Sequence, residues 1–163
     1  MNTAKKLSQT KLPEQKRFLR RLYVSTLIVL AFTGFGQMPI FKRYGISSIP
    51  GMGWSADFYT THYIHYIGAI VLLALITYAL TDFLVSGRKT SRLTIAAYVQ
   101  IILLSGIVIT GIFRVLKNLP DVVFSPAFTM FIDLAHLGLM IFYMVTALIF
   151  LLTGRKWLNP RLH

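Results

Sequence analysis

Cysteine is absent from the 163 residues, which removes disulfides, iron-sulfur clusters, covalently attached haem and cysteine nucleophiles from consideration. Any cofactor has to be held by His, Met, Tyr or carboxylate. Acidic residues are scarce as well: five Asp and Glu stand against 17 Lys and Arg, a net charge of +12. Charged residues make up only 13% of the chain, 55% is hydrophobic and mean hydropathy is +0.64. This is too apolar for an ordinary soluble domain. A membrane span needs about 20 mostly apolar residues, and four such runs are present, from Leu22 to Phe41, Tyr59 to Leu80, Leu93 to Ile112 and Ala127 to Leu152.

A strongly basic chain can signal nucleic acid, but here the cations sort by loop. The N-terminal arm carries Lys5, Lys6, Lys11, Lys16, Arg17, Arg20 and Arg21, the loop after the second run Arg88, Lys89 and Arg92, and the tail Arg155, Lys156 and Arg161. Only Lys42, Arg43, Arg114 and Lys117 fall in the other two loops. The positive-inside rule then expects both termini in the cytoplasm and leaves no role for nucleic acid. The arm "KRFLRR" would also suit anionic lipid. A signal peptide is a poor fit to the first run, which is too long and lacks a small-residue cleavage site in "AFTGFGQMP".

These signals predict an all-α integral membrane protein, a four-helix transmembrane bundle. Residues 1–21 form a basic arm, 22–153 the membrane domain with helices at about 22–41, 56–86, 93–116 and 126–153, and 154–163 the tail. "SADFY" places an N-cap at Ser55 with Asp57 in the first turn. "SPAF" places another at Ser125 with Pro126 at the first helical position. No internal repeat or low-complexity segment is evident.

The second run contains "HYIH", with His62 and His65, and the fourth contains His136. His65 lies ten residues beyond Ser55 and His136 eleven beyond Ser125, which puts both about 15 Å along their helices. His62 is about one turn shallower. Two imidazoles at one depth on facing helices suit the axial positions of a haem b iron, with the macrocycle between the helices. His65 and His136 are therefore the expected ligands and His62 the alternative. Without metal, the same histidines would hydrogen-bond across helices. Gly68 and Gly138 would relieve crowding beside a flat ring. Gly106 and Gly111 would serve such close approach or plain helix packing equally well. Lys42, Arg43, Arg114 and Lys117 are candidates for haem propionates or a quinone. Asp133, one turn before His136, could orient a ligand, meet a propionate or stabilise the helix start. His163 belongs to the tail.

"AFTG" at the end of the first helix, "IHYIGAIVLL" in the second and "DLAHLGLMIFYMVTALIF" in the fourth resemble the four-helix cytochrome b (gamma) subunit of membrane-bound formate dehydrogenase and the related subunits of hydrogenases and thiosulfate reductases. The resemblance covers nearly the whole membrane part. It implies a respiratory electron-transfer subunit, not catalytic alone, in the bacterial inner (cytoplasmic) membrane. Such a subunit works between an extracytoplasmic iron-sulfur or multihaem cytochrome subunit and the quinone pool, menaquinone or ubiquinone. The family's outer-haem ligands match His65 and His136. Its inner-haem ligands do not: the first helix opens "RRLYVSTLIVL" without histidine, and Phe150 stands fourteen residues past His136. Some relatives place a further histidine where Tyr78 stands. The expectation is thus one outer haem, with the family's inner quinone site in doubt. A haem-free structural anchor is the alternative. A small transporter component is disfavoured because the inner halves of the helices carry almost no ionisable residue.

Overall fold

The computed structural model describes residues 14–155 and 157–160. Lys5, Lys6, Lys11, Lys156, Arg161 and His163 lie outside the described residues. Four long helices account for most of the rest: α1 (Glu14–Gly36), α2 (Phe58–Asp82), α3 (Ile95–Leu116) and α4 (Pro126–Leu152). Each contains a stretch long and apolar enough to cross a membrane, and at most 22% of any such stretch is buried in the protein. Large apolar side chains such as Ile70, Leu80, Ile102, Phe131 and Leu148 are exposed. Helices apolar on all sides and left uncovered need an apolar solvent, so this is a multi-pass membrane protein whose helices contact lipid.

The helix ends depart from the sequence expectation at three places. α1 is already helical at Glu14, the first described residue, and ends at Gly36 rather than near residue 41. Met38 N–H closes a turn on the Phe35 carbonyl, 3.0 Å, and Pro39 opens a short helical turn, Ile40–Arg43. Phe41, expected in the span, is instead buried against Phe32, ring centroids 4.8 Å apart, and Trp54 packs on the same Phe32 at 5.8 Å. The second departure is at α2. Ser55 is not its cap but sits buried in a 3-10 turn, Gly53–Ala56. Asp57 caps instead, its carboxylate accepting from Thr60 N–H at 3.0 Å and from the Thr60 hydroxyl. Both residues are good caps. The choice is tertiary, because Ser55 is held down by the end of α1: a methyl at Gly36 would lie 2.9 Å from the Ser55 carbonyl oxygen.

At α3 the helix starts at Ile95 rather than 93, because Leu93 is drawn into a strand pairing with Leu158, whereas the signals at α4 agree with the structure. Ser125 accepts from Phe128 N–H at 3.3 Å with Pro126 opening α4, and Thr94 caps α3 by accepting from Ala97 N–H at 3.2 Å. α2 runs on through a π turn, Phe83–Gly87, and a helical turn, Arg88–Thr90. The chain then extends as β1 (Ser91–Leu93), which pairs antiparallel with β2 (Leu158–Pro160), Arg92 opposite Asn159.

The described residues divide into two compact units, one ending at Leu84 and the other starting at Val85. In the first, α1 packs on α2, with Thr33, Thr61, Gly68 and Leu72 buried and Leu30 seated on Gly68. In the second, α3 packs on α4 around Ala97, Gln100, Leu104, Ile132 and Tyr143, and Leu139 seats on Gly106. Each is a helical hairpin whose glycine lets the partner's leucine approach the backbone.

Candidate functional site

In the first hairpin, Thr33 is 1% exposed. Its hydroxyl oxygen lies 2.7 Å from the Val29 carbonyl of its own helix and 3.3 Å from that of Leu30. The same oxygen lies 3.0 Å from Nδ1 of His65 on α2. The imidazole leans over Gly34, where a Cβ would be 3.4 Å from His65 Cε1. Just past the end of α1, Gln37 Oε1 is 3.2 Å from Nδ1 of His62. The His62 ring stacks on Phe58 at 5.2 Å and tilts against Tyr66 at 4.3 Å.

The second hairpin repeats the arrangement on different residues. Thr110 Oγ1 lies 2.8 Å from the Gly106 carbonyl, 3.0 Å from that of Ile107 and 2.9 Å from Nδ1 of His136. Gly111 lies under the ring, its would-be Cβ 3.5 Å from His136 Cε1. One turn along α3, the rung is ionic. Asp133 takes Lys117 Nζ on both oxygens, at 2.8 and 2.7 Å, and Arg114 Nε at 3.1 Å. Two cations share one carboxylate, so the cluster keeps a net charge of +1.

"TGFGQ" (33–37) with "HYIH" (62–65) therefore corresponds to "TGIFR" (110–114) with "DLAH" (133–136). Thr33 matches Thr110, Gly34 matches Gly111, Gln37 matches Arg114, His62 matches Asp133 and His65 matches His136. The expectation of no internal repeat is corrected: the repeat is carried by side-chain geometry. His65 and His136 are the equivalent pair, and His62 occupies the position of a carboxylate that binds cations.

Counting from the caps no longer supports a common depth. His65 stands eight residues beyond Asp57 and His136 eleven beyond Ser125, a difference of about 4.5 Å of helical rise. The correspondence of the two histidines rests instead on their threonines. Lys42 and Arg43 are exposed on the short turn after α1, while Arg114 and Lys117 are drawn to Asp133. Gly68, expected beside a flat ring, is occupied by Leu30, a packing role. Gly138 has nothing within 4 Å of a would-be Cβ, so that position is open. Thr33, Thr110, Gly34 and Gln37 were not singled out from the sequence. The available signal was a Thr-Gly pair on the helix preceding each histidine.

Among the described residues, no three His, Asp or Glu side chains converge as a metal site. Comparison with known proteins finds no matching family model, no matching curated protein and no matching solved structure.

Proposed function

We propose that this chain is the membrane-anchor cytochrome b subunit of a respiratory redox complex in a bacterial cytoplasmic membrane. It would carry electrons through one b-type haem, with His65 and His136 as axial ligands. The observation that supports this reading is the matched pair of imidazoles, one per hairpin, each held at Nδ1 by a threonine and backed by a glycine. The donor set fits the group. A haem would ask the protein for two neutral imidazoles in apolar surroundings, and His65 and His136 would supply them.

When bound, the haem supplies a one-electron carrier. The chain's own part would be to hold the iron through His65 and His136, to keep water away with apolar helices, and to supply positive charge. The surplus charge of Arg114 and Lys117 over Asp133 would suit propionates and would favour a reduced iron. Lys42 and Arg43 are further candidates for that role. The electron partner in this reading is an extracytoplasmic iron-sulfur or multihaem subunit, with menaquinone or ubiquinone at the other end. The resemblance to the formate dehydrogenase gamma subunits supports that assignment.

A second reading is a haem-free structural anchor. It draws on the same bonds, because a Thr–His contact at 2.9–3.0 Å already satisfies one imidazole nitrogen inside a membrane. A dithionite-reduced minus oxidised spectrum, with haem counted per chain, separates the two. The expected result is one b haem that is lost in His65→Ala and in His136→Ala and retained in His62→Ala. Protein isolated with its partners and devoid of haem would leave the structural anchor standing.

A further inference from the structure

We infer that Thr33 and Thr110 are positioning residues that lock both imidazoles in the Nδ1–H tautomer, so that each presents a lone pair at Nε2 as its donor atom. A count of the available protons fixes the direction of each bond. A threonine hydroxyl carries one hydrogen. Thr33 Oγ1 sits 2.7 Å from the Val29 carbonyl oxygen, an atom that can only accept, so the hydroxyl hydrogen points there. Turning it toward His65 would leave two oxygen lone pairs facing each other at that distance. The contact to His65 Nδ1 at 3.0 Å can then be made in one sense only: Nδ1–H donates to Thr33 Oγ1. The second hairpin gives the same answer. Thr110 donates to the Gly106 carbonyl at 2.8 Å, and His136 Nδ1–H donates to Thr110 at 2.9 Å.

Back-bonding of threonine to its own helix is ordinary in apolar helices. Here it orients the oxygen lone pair across the hairpin, twice, at matching positions. A neutral imidazole protonated at Nδ1 is a base at Nε2, the form that binds iron or another electrophile. Donation to a hydroxyl is also milder than donation to a carboxylate. It orients the ring and raises its basicity modestly without driving it toward imidazolate. The tautomer assignment stands on these contacts alone, and the use of Nε2 as an iron ligand rests on the proposed function.

The test uses the full chain in lipid nanodiscs with 15N-labelled histidine, prepared both without and with haem, and with His→Ala variants to assign the signals. In the haem-free protein, His65 and His136 are expected to show a protonated Nδ1 and an unprotonated Nε2. Thr33→Val and Thr110→Val, close in shape but lacking the hydroxyl, should each change the tautomer ratio at their own histidine by about tenfold. Thr33→Ser and Thr110→Ser should restore it. In haem-loaded protein the valine variants should keep haem and raise its midpoint potential, because a less basic ligand stabilises the oxidised iron less. A native Nε2–H form at either ring, or a ratio unmoved by valine, overturns the inference, and the native spectrum decides the point even where a valine variant fails to fold. A locked tautomer without haem in the native complex would leave the positioning role intact and remove the cytochrome reading. Haem with unmoved tautomers would do the reverse.

Discussion

A methyl group added at Gly36 would lie 2.9 Å from the Ser55 carbonyl oxygen and 2.9 Å from Thr61 Cγ2. One neighbour is backbone and the other a β-branched side chain that is fully buried, so neither yields easily. Gly36→Ala is expected to destabilise the first hairpin by about 1–3 kcal/mol, the usual cost of overpacking. Gly138→Ala meets nothing within 4 Å and should be neutral or gain up to about 1 kcal/mol from helix propensity. Thermal unfolding of the two variants in one detergent checks the contrast, and equal effects would refute it. A different tension exists at Gln100, which is 1% exposed. Its amide nitrogen donates to Thr146 Oγ1 at 2.7 Å, while Thr146 donates to the Phe142 carbonyl. That chain of donors fixes the amide's orientation and leaves Gln100 Oε1 buried with no partner. Thr33, Thr110 and Thr146 thus share one pattern: each hydroxyl bonds its own helix and meets a polar side chain of the facing helix.

At the scale of the element, the start of α2 depends on one carboxylate. The Thr60 hydroxyl and then the Thr60 N–H hold the Asp57 carboxyl below its ordinary value of 3.8. The unfolded chain, lacking those donors, takes up the proton first as pH falls. The cap's contribution is therefore complete at neutral pH and is lost as pH drops below 3.8 and through the lowered folded value. Unfolding of the wild type measured from pH 7 to pH 2 should show this loss, and Asp57→Asn should flatten that part of the profile. A variant with the same profile as the wild type would mean that other carboxylates dominate. The cap also illustrates what could be read in advance. Ser125 with Pro126 was legible because a cap followed by proline is a local signal, and the four spans were legible because each is a long apolar run. Ser55 misled because the contest between it and Asp57 is settled by Gly36, nineteen residues earlier. The Thr–His contacts join residues 32 and 26 apart in sequence, and no periodicity announces such a register. The repeat was further hidden because its second rung changes chemistry, Gln37 with His62 in one hairpin and Arg114 with Asp133 in the other. The knob and its hole exchange helices as well, Leu30 on Gly68 against Leu139 on Gly106.

For the whole molecule, the distribution of cations predicts which ends face the cytoplasm. Thirteen of the 17 cations lie on the arm, on the loop between the hairpins and on the tail, against four on the other two loops. Cation asymmetry in short loops sets orientation, so Ser48 and Asp121 are expected outside and Thr90 inside. All three are exposed, and because the chain contains no cysteine, a single introduced thiol is the only one a reagent can find. Ser48→Cys and Asp121→Cys in intact cells should react with a membrane-impermeant maleimide, whereas Thr90→Cys should react only after the membrane is opened. The outcome bears on function as well as on topology. Thr33 and Thr110 stand toward the ends of α1 and α3 that lead into the predicted outer loops, and His65 and His136 lie in the first halves of α2 and α4. With the predicted labelling pattern, both Thr–His pairs fall in the outer half of the membrane, within reach of an extracytoplasmic electron partner. The reverse pattern would move them to the cytoplasmic half, and the proposed partner would have to be sought on that side.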